Sequence, residues 1–511
     1  MEIPSETVES LAWIPKHWGL DCILESGNGV RSAVSRAIQT TAEHAEKKRV
    51  FSVTGWTEVD GKLRYLMPGD EEVSVALQGK LQGYHMEHTW DSADLQVVTD
   101  LLNQPPAPME VMLPLLAVAF LSPLNHLLKE AKCEPKFVTF LMGKTGSRKS
   151  TLAALVLSFF GRFTASELPL SFRDTANSIQ HNAYALKDVL TVIDDYHPTG
   201  RQEEGKMNAT AQSIMRCYGD RVGRGRLNSD CLQMNTRPPQ GNAIVTGEFP
   251  PDIGESGTAR YFTVELKDGD VDLPLLSAYQ REAEKGTFNR CLYAYIQWLE
   301  DTFLFSEEAH YEYVKALRKW FEERRDAFYR TGIRCHGRVA ENVAWLQLGL
   351  DHLLLFLKEN GCMSEDECAA YQKQFQEILY QQARKQADNI AQDKPTHKFV
   401  QKLYALLESG QVCVLPKNTP HDFVSTNCIG YEDEDFFYLH SELAHKTVRR
   451  FCEDQGESFS LSSKALLKAL AEEGLIETCA GQNTKSVRIG GKSKRLVCLY
   501  KEKAERVLEA A

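Results

Sequence analysis

The stretch KFVTFLMGKTGSRKSTLAALVLSFFG, residues 136–161, has the pattern of an apolar strand followed by a glycine-containing loop and a helix. Its middle part, Gly143 to Ser150, differs at one position from the phosphate-binding consensus G-x-x-x-x-G-K-[ST]. Glycines let the backbone curl so that successive N–H groups and the helix N-terminus point toward phosphate oxygens. The alternative is a strand, turn and helix with chance glycines, but the flanking elements and the K-S-T ending favour a P-loop that binds a nucleotide.

Within this loop, we expect the Lys149 ammonium to reach the β/γ-phosphate oxygens and the Ser150 hydroxyl to hold Mg²⁺, so ATP and Mg²⁺ are the predicted cofactors. Arg148 stands where the consensus has its second glycine. A bulky side chain there strains the loop if the position requires a positive φ, or adds a charge near the nucleotide. The predicted nucleotide contacts are Gly143, Lys144, Thr145, Gly146, Ser147, Arg148, Lys149, Ser150 and Thr151.

An acidic strand follows downstream, because DVLTVIDDY, residues 188–196, places an apolar run ahead of two aspartates. Such a strand is typical of a Walker B motif, in which Asp194 would organise the metal and Asp195 would orient the attacking water. Asp195 is one methylene shorter than the glutamate that most such motifs carry. The alternative is an exposed acidic strand end.

Two further strands carry candidate catalytic residues. NAIVTGE, residues 242–248, ends with two polar residues, Thr246 and Glu248, where a γ-phosphate sensor would lie. Thr246 is the better candidate, because its hydroxyl can bond either phosphate or water. SGTARYFTVEL carries Arg260 just before another strand. In ring ATPases a guanidinium at this place reaches into the neighbouring subunit's site and neutralises transition-state charge. The alternatives are a turn threonine and a surface arginine paired with an acid.

Composition limits the class of protein. The chain has 511 residues, with 59 Lys and Arg against 70 Asp and Glu, a formal net charge of −11, so nucleic acid would have to bind local patches rather than the net field. None of the 13 cysteines forms a C-x-x-C pair, so the thiols are predicted to be reduced.

The first residues lack a secretory pattern, which predicts a cytoplasmic location. The apolar run at residues 111–128 is interrupted by two prolines and two polar residues, so it is predicted to be a buried helix rather than a membrane span.

The order of strand and helix patterns predicts an α/β protein whose core is a P-loop NTPase with a largely parallel sheet. Residues 1–105 are predicted to form a small mixed domain, with a β-hairpin around Asp60-Gly61. Residues 106–273 form the predicted ATPase core, and residues 274–393 a helical domain. Residues 394–511 end in a helix–helix–hairpin order that predicts a winged-helix domain.

Two basic patches are candidate DNA-binding surfaces. RCYGDRVGRGR, residues 216–226, sums to +3, and its interspersed glycines suggest a hairpin tip that could line a pore. KSVRIGGKSKR, residues 485–495, sums to +5 and is predicted to be the wing. The alternatives are a solvated turn for the first patch and protein docking for the second. The predicted DNA contacts are Arg221, Arg224, Arg226, Lys492, Lys494 and Arg495.

The ordered set GWTEVDGKLRYLMPG, LMGKTGSRKSTLAAL, LPLSFRDTANSI, ALKDVLTVIDDYHP, GRGRL, TGE and SGTAR resembles a helicase-like domain family of bacterial mobile elements. Its best-known relatives are the Cch-type, MCM-like AAA+ helicases of cassette chromosomes, and many members also carry a C-terminal winged helix. The resemblance spans residues 45–350. It implies an AAA+ fold, ATP hydrolysis between subunits of a hexameric homo-oligomeric ring, and translocation on single-stranded DNA in a central pore. The residues that the resemblance implies for the nucleotide loop, the acidic strand, the sensor and the arginine finger are those named above. Arg338 matches a second sensor loosely, and the alternative is an arginine on a helix surface.

Three functions fit these observations. The first is a DNA helicase or translocase acting in replication of a mobile element. The second is a remodelling or switch ATPase that acts on protein partners and uses the winged helix for docking. The third, a P-loop phosphotransferase, is disfavoured by the acid pair and by Arg260, because a monomeric kinase needs no arginine acting in a neighbouring subunit.

Overall fold

A computed structural model describes most of the chain. The described residues are 3, 8–19, 22, 27, 29–43, 45, 49–199, 201–223, 226–227, 233–234, 236–251, 253, 255–392, 394–420, 427–455, 459, 461–479 and 482–509. They divide into two compact units, one of residues 1–51 with 72–74 and one of residues 52–71 with 75–511. The first unit holds helices α1 (Trp13–Trp18) and α2 (Val30–Ala42) and strand β1 (Val50–Phe51).

The second unit begins with a hairpin of strands β2 (Gly55–Val59) and β3 (Lys62–Leu66), which confirms the hairpin prediction. Its two turn residues both have positive φ, 51° at Asp60 and 78° at Gly61, as a tight hairpin turn requires. The short strand β4 (Ser74–Val75) follows in the chain, with Ser74 assigned to the first unit and Val75 to the second. Helix α3 (Ser92–Asn103) belongs to the second unit.

The hairpin packs against the region that contains the parallel sheet. The Trp56 indole donates a 2.7 Å hydrogen bond to the carbonyl of Pro123, and the Tyr65 hydroxyl donates a 2.6 Å hydrogen bond to the carbonyl of Asp188. One apolar cluster contains residues from Trp56 to Ala383, and a second cluster includes residues of the sheet such as Phe140 and Ile193. The predicted boundary at residue 105 is therefore wrong as a core boundary, because residues on both sides of Pro105 and Pro106 belong to the first of these clusters. The first compact unit instead consists of residues 1–51 and 72–74, and the hairpin between these two stretches belongs to the second unit.

The centre of the second unit is a five-stranded sheet in the order β11-β5-β10-β7-β6. All four of its strand pairings are parallel, which confirms the predicted parallel α/β core. Its strands are β5 (Val138–Met142), β6 (Leu170–Ser171), β7 (Leu190–Tyr196), β10 (Asn242–Gly247) and β11 (Tyr261–Glu265). The helices of this region are α4 (Met109–Leu121), α5 (Asn125–Glu130), α6 (Lys149–Leu157), α7 (Ala176–Ala185), α8 (Arg201–Asp220) and α9 (Glu255–Thr258).

The apolar segment Met109–Glu130 is long and apolar enough to cross a membrane, but 94% of its apolar window is buried inside the protein. It is the core helix that the sequence predicts. Residues 273–392, all of which the structure describes, contain helices and no strand, and α4 packs against the fourth of these helices. These helices are α10 (Leu273–Glu284), α11 (Thr287–Phe303), α12 (Glu307–Arg330), α13 (Gly337–Glu359) and α14 (Glu365–Gln392).

The C-terminal region has an apolar core of its own. It contains a second five-stranded sheet in the order β12-β13-β14-β16-β15. The predicted helix–helix–hairpin order is present in α16, α17, β15 and β16, within this larger sheet. The elements are α15 (Pro395–Glu408), β12 (Cys413–Pro416), β13 (Cys428–Glu432), β14 (Phe436–Leu439), α16 (Ser441–Asp454), α17 (Ser463–Glu472), β15 (Lys485–Ile489), β16 (Lys492–Tyr500) and α18 (Lys501–Glu509).

Candidate nucleotide site and nucleic-acid surfaces

The predicted P-loop lies between β5 and α6, at the carboxyl edge of the parallel sheet. This edge is where open α/β sheets bind ligands. Arg148 adopts the left-handed conformation, with φ 72° and ψ 22°, directly before the helix. A backbone of this kind favours glycine, which explains why the consensus has one there and identifies Arg148 as a strained residue.

The Lys149 side chain folds back onto its own loop. Its ammonium donates hydrogen bonds of 2.7 Å and 2.8 Å to the carbonyls of Gly143 and Lys144. Partial burial lowers the pKa of Lys149, while the carboxylates of Glu248, Asp194 and Asp195 act in the opposite direction. The Lys149 ammonium therefore lies against the loop where phosphates are predicted to bind.

Asp194 joins the three elements of the site. One of its carboxylate oxygens, Oδ1, accepts a 2.7 Å hydrogen bond from the Ser150 hydroxyl and a 2.5 Å hydrogen bond from the Thr246 hydroxyl. The P-loop helix, the acidic strand and the third strand therefore meet at one atom. All three residues are candidates from the sequence, and the structure brings them together.

Asp195 sits in a β-bulge. Val245 of β10 pairs with Ile193 of β7, but Gly247 pairs with Tyr196, so two residues of β7 lie opposite the single residue Thr246. Asp195 takes a positive φ of 68° and donates its N–H to the Thr246 hydroxyl over 3.1 Å. Bulges re-aim side chains next to functional sites. The bulge was not predicted, because nothing in an apolar run followed by two aspartates distinguishes a regular strand from a bulged one.

The Asp195 carboxylate is paired with a cation that sequence analysis missed. Arg173, in the loop after β6, places its guanidinium 3.2 Å from Asp195. Arg173 is 81% exposed and Asp195 43% exposed, so solvent screens the pair and it is easily broken. Asp195 also borders two cavities, one of about 260 Å³ over the P-loop and one of about 780 Å³ on the Arg173 side.

Glu248 lies over the P-loop. Its carboxylate accepts a 2.6 Å hydrogen bond from the Thr145 N–H and a second one from the Thr145 hydroxyl, and His197 approaches it within 3.0 Å. The hydrogen bonds from Thr145 lower the pKa of Glu248. The Glu248 carboxylate thus occupies an N–H group of the P-loop, that of Thr145. The signal in the sequence is its place two residues after Thr246, as the second polar residue at the end of the predicted strand.

Arg260 does not point at its own P-loop. It precedes β11, whose first residue pairs with Val138 at the start of β5, whereas the P-loop follows Met142 at the end of β5. The two places are about 16 Å apart along the strands, at roughly 3.3 Å per residue. Arg260 is bonded to Asp220 in this chain, with 3.0 Å between Nη2 and Oδ2. The alternative prediction of an arginine paired with an acid therefore describes its observed contact.

In the first basic patch, the structure overturns the prediction that Arg221 contacts DNA. The guanidinium of Arg221 is buried and donates hydrogen bonds to the carbonyls of Pro135, Pro239 and Gly241 and to the Asn242 side chain. Arg221 is therefore not available to a phosphate backbone. It ties together the two ends of the segment between α8 and β10, since it lies at one end and three of its acceptors at or beside the other.

The segment between those ends is a hairpin in its described backbone. Short strands β8 (Arg226–Leu227) and β9 (Gln233–Met234) pair antiparallel. Arg224 and the side chain of Arg226, both predicted to bind DNA, lie outside the described part of the structure.

The second basic patch divides between the two faces of the β15–β16 hairpin. Lys492 and Lys494 pair with the buried residues Ile489 and Val487, so they lie on the same face as these apolar side chains. The Lys494 ammonium lies 4.7 Å from the centre of the Tyr431 ring. Arg495 lies on the other face, where it donates a 2.9 Å hydrogen bond to the Thr484 hydroxyl.

No protein-family model matches the chain, and no curated protein matches it. A solved structure described as the active helicase Cch of SCCmec type IV is similar to it over 99% of this chain and 89% of that chain. The TM-score is 0.58 and the sequence identity 12%. At this identity the likeness shows a shared fold, and at the level of the fold it confirms the predicted resemblance to Cch-type helicases.

Proposed function

We propose that the chain is an ATP-dependent DNA helicase or translocase of the MCM-like AAA+ type that hydrolyses ATP at subunit interfaces of a homo-oligomeric ring. The observation that carries this proposal is the meeting of Ser150 and Thr246 at one carboxylate oxygen of Asp194. A P-loop serine, an acid at the end of a strand and a polar residue on the neighbouring strand are the parts that ATP hydrolysis requires.

In this proposal the loop N–H groups and the N-terminus of α6 bind the phosphates. The Lys149 ammonium leaves the carbonyls of Gly143 and Lys144 and turns to the β- and γ-phosphate oxygens. The Glu248 carboxylate has to give up the Thr145 N–H, because two anions cannot share that donor.

The residues present fit a magnesium ion. The Ser150 hydroxyl and the Asp194 carboxylate are the oxygen ligands that Mg²⁺ takes in nucleotide sites, and Thr246 holds the carboxylate in place. When bound, Mg²⁺ neutralises charge that develops on the phosphates. Asp195 then orients the attacking water once Arg173 releases its carboxylate.

Arg260 completes the site from the neighbouring subunit. It lies at the opposite end of the sheet from its own P-loop, so it serves a second copy of the chain rather than its own nucleotide. A trans-acting arginine of this kind stabilises transition-state charge.

The choice of DNA as the substrate rests on two observations. The structure with the similar fold is described as a helicase, and the hairpin between α8 and β10 carries glycine-interspersed arginines in a chain whose net charge is −11. Cationic loops of this kind track a phosphate backbone. The proposed setting is replication of a mobile element in the cytoplasm.

The test is the steady-state ATPase rate with and without single-stranded DNA. We expect strong stimulation by DNA, its loss in the double variant Arg224→Ala with Arg226→Ala, and no hydrolysis in Lys149→Ala. Undiminished turnover in Lys149→Ala would refute the nucleotide site. An ATPase that is indifferent to DNA would favour the alternative, a remodelling ATPase that acts on proteins.

A further inference from the structure

Asp220 accepts hydrogen bonds from two arginines that come from separate parts of the chain. Asp220 is the last residue of α8. Its carboxylate accepts hydrogen bonds from Arg260, directly before β11, over 3.3 Å from Nε and 3.0 Å from Nη2. It also receives Arg338 Nη2 at 2.8 Å from the start of α13. Arg338 donates in addition to the carbonyl of Gly219, again over 2.8 Å. The two guanidinium groups are thus held side by side by one carboxylate.

The packing around this contact is specific for Arg260. A Cβ atom added to Gly219 would lie 2.7 Å from both Cγ and Cδ of Arg260, so the arginine stem fills the space that a side chain at residue 219 would need. The Arg260 side chain is only 12% exposed. Its position is set by packing as well as by charge.

The contact also favours a permanent charge on Asp220. Partial burial raises the pKa of this carboxyl, but hydrogen bonds from Arg260 and Arg338 outweigh the burial, so its pKa is lowered. A carboxylate that is ionised and bonded to two guanidinium groups holds them in a defined geometry.

We propose that Asp220 is a positioning residue for the nucleotide site of the neighbouring subunit, where it orients Arg260 and Arg338 toward the phosphates. This inference rests on the proposed function, because it requires sites shared between subunits. Asp220 directly precedes Arg221, which ties the two ends of the basic hairpin segment, so the pair of arginines is attached to the segment that is proposed to contact DNA.

The substitution Asp220→Asn tests the inference, since it keeps the size of the side chain and removes its charge. We expect kcat for ATP to fall about 10–100-fold, as for a catalytic group displaced by about 1 Å. KM is expected to stay within about twofold, because the interaction is made in the transition state. Asp351→Asn is the matched control: it removes a carboxylate paired with Arg324 in the helical region, away from the site. It should lower thermal stability without this kinetic pattern.

Mixing variants locates the defect. Lys149→Ala is defective on the P-loop side of the interface and Arg260→Ala on the arginine side, so a mixture of the two regains activity if sites are shared. We expect Asp220→Asn to regain activity with Lys149→Ala and not with Arg260→Ala.

Two results would contradict the inference about Asp220. One is recovery with Arg260→Ala but not with Lys149→Ala, and the other is full activity of Asp220→Asn alone. Failure of the Lys149→Ala and Arg260→Ala mixture would instead refute the shared site of the proposed function, and this inference would fall with it.

Discussion

A single residue in the P-loop, Arg148, shows how local geometry and function compete. Its φ of 72° is one that a glycine adopts without cost, whereas a residue with a Cβ pays about 1–2 kcal/mol. The strain persists because the strand before the loop and the helix after it determine where the loop must go.

Arg148→Gly and Arg148→Ala separate strain from charge, because both remove the guanidinium but only glycine relieves the backbone. We expect the glycine variant to have a free energy of unfolding about 1 kcal/mol higher than that of the alanine variant. Urea unfolding of the two proteins measures this difference. Equal stability, or a more stable alanine variant, would show that the left-handed backbone carries no strain.

Arg221 is a second residue whose role in the fold differs from the one that its local sequence predicts. Its buried guanidinium satisfies three carbonyls, and Glu134 lies 3.7 Å away. We expect Arg221→Gln to lower the free energy of unfolding by about 3–5 kcal/mol, as when one partner of a buried ionic network is removed. Arg216→Gln, at an exposed position near the end of α8, should change it by less than about 0.5 kcal/mol.

Chemical denaturation checks both variants, and DNA binding adds a second readout. If Arg221 contacted phosphates, its loss would reduce the salt dependence of DNA affinity while leaving stability nearly unchanged. A reduced salt dependence with unchanged stability would therefore contradict the buried hydrogen-bond network of Arg221.

At the scale of elements, the helical region is built on the close approach of α13 to α4. A Cβ atom added to Gly349 would lie 2.1 Å from the carbonyl oxygen of Ala117, so the helix backbones are nearer here than any side chain permits. Through this contact, the helices of residues 273–392 pack onto α4, the apolar helix that lies before the P-loop in the chain.

Gly349→Ala is therefore expected to destabilise the protein by about 1–3 kcal/mol through overpacking, despite the better helix propensity of alanine. Gly205→Ala is the matched control, because Gly205 lies in α8 with nothing within 4 Å of an added Cβ. There the same substitution should stabilise by about 0.5–1 kcal/mol. Thermal unfolding of both variants gives the signs, and a shared sign would contradict the packing argument.

His352, also on α13, makes stability depend on pH. Burial lowers the pKa of its imidazole from 6.5 to about 4, and its Nδ1 lies 2.7 Å from the Leu348 carbonyl. Between those two pH values the unfolded chain binds a proton that the folded chain excludes. The free energy of unfolding should therefore fall by about 1.4 kcal/mol for each pH unit on acidification from about 6.5 to 4.

His352→Phe keeps the edge-to-face ring contacts with Trp320 and Tyr313 and removes the titrating group. Urea unfolding at several pH values should show a slope in this window that is shallower in the variant by this amount. An unchanged slope would mean that His352 binds its proton equally well in the folded state.

At the scale of the whole molecule, the features that the sequence predicts correctly depend on local patterns. The P-loop, the hairpin at Asp60-Gly61 and the long helices each follow from residues that are neighbours along the chain. The two prolines at residues 105 and 106 also have a local meaning, the end of a helix, but whether a core ends there is decided by contacts between distant segments.

The features that were missed depend on which distant groups meet. Arg221 was expected to be exposed because arginines among glycines are typical of solvated loops, yet the fold brings four acceptors around it. In the sequence, Asp220 is only the one negative charge within the basic patch of residues 216–226, since no local pattern indicates that Arg260 and Arg338 converge on it. The bulge at Asp195 likewise arises from the register between two strands.

If neighbouring copies of the chain complete each other's ATP site, the ATPase rate per subunit must depend on protein concentration. It is measured at saturating ATP, Mg²⁺ and single-stranded DNA. We predict that the rate per subunit rises steeply over the range in which the chain assembles, because Arg260 reaches only a partner's nucleotide. A rate per subunit that stays constant from the monomer upward would contradict the account.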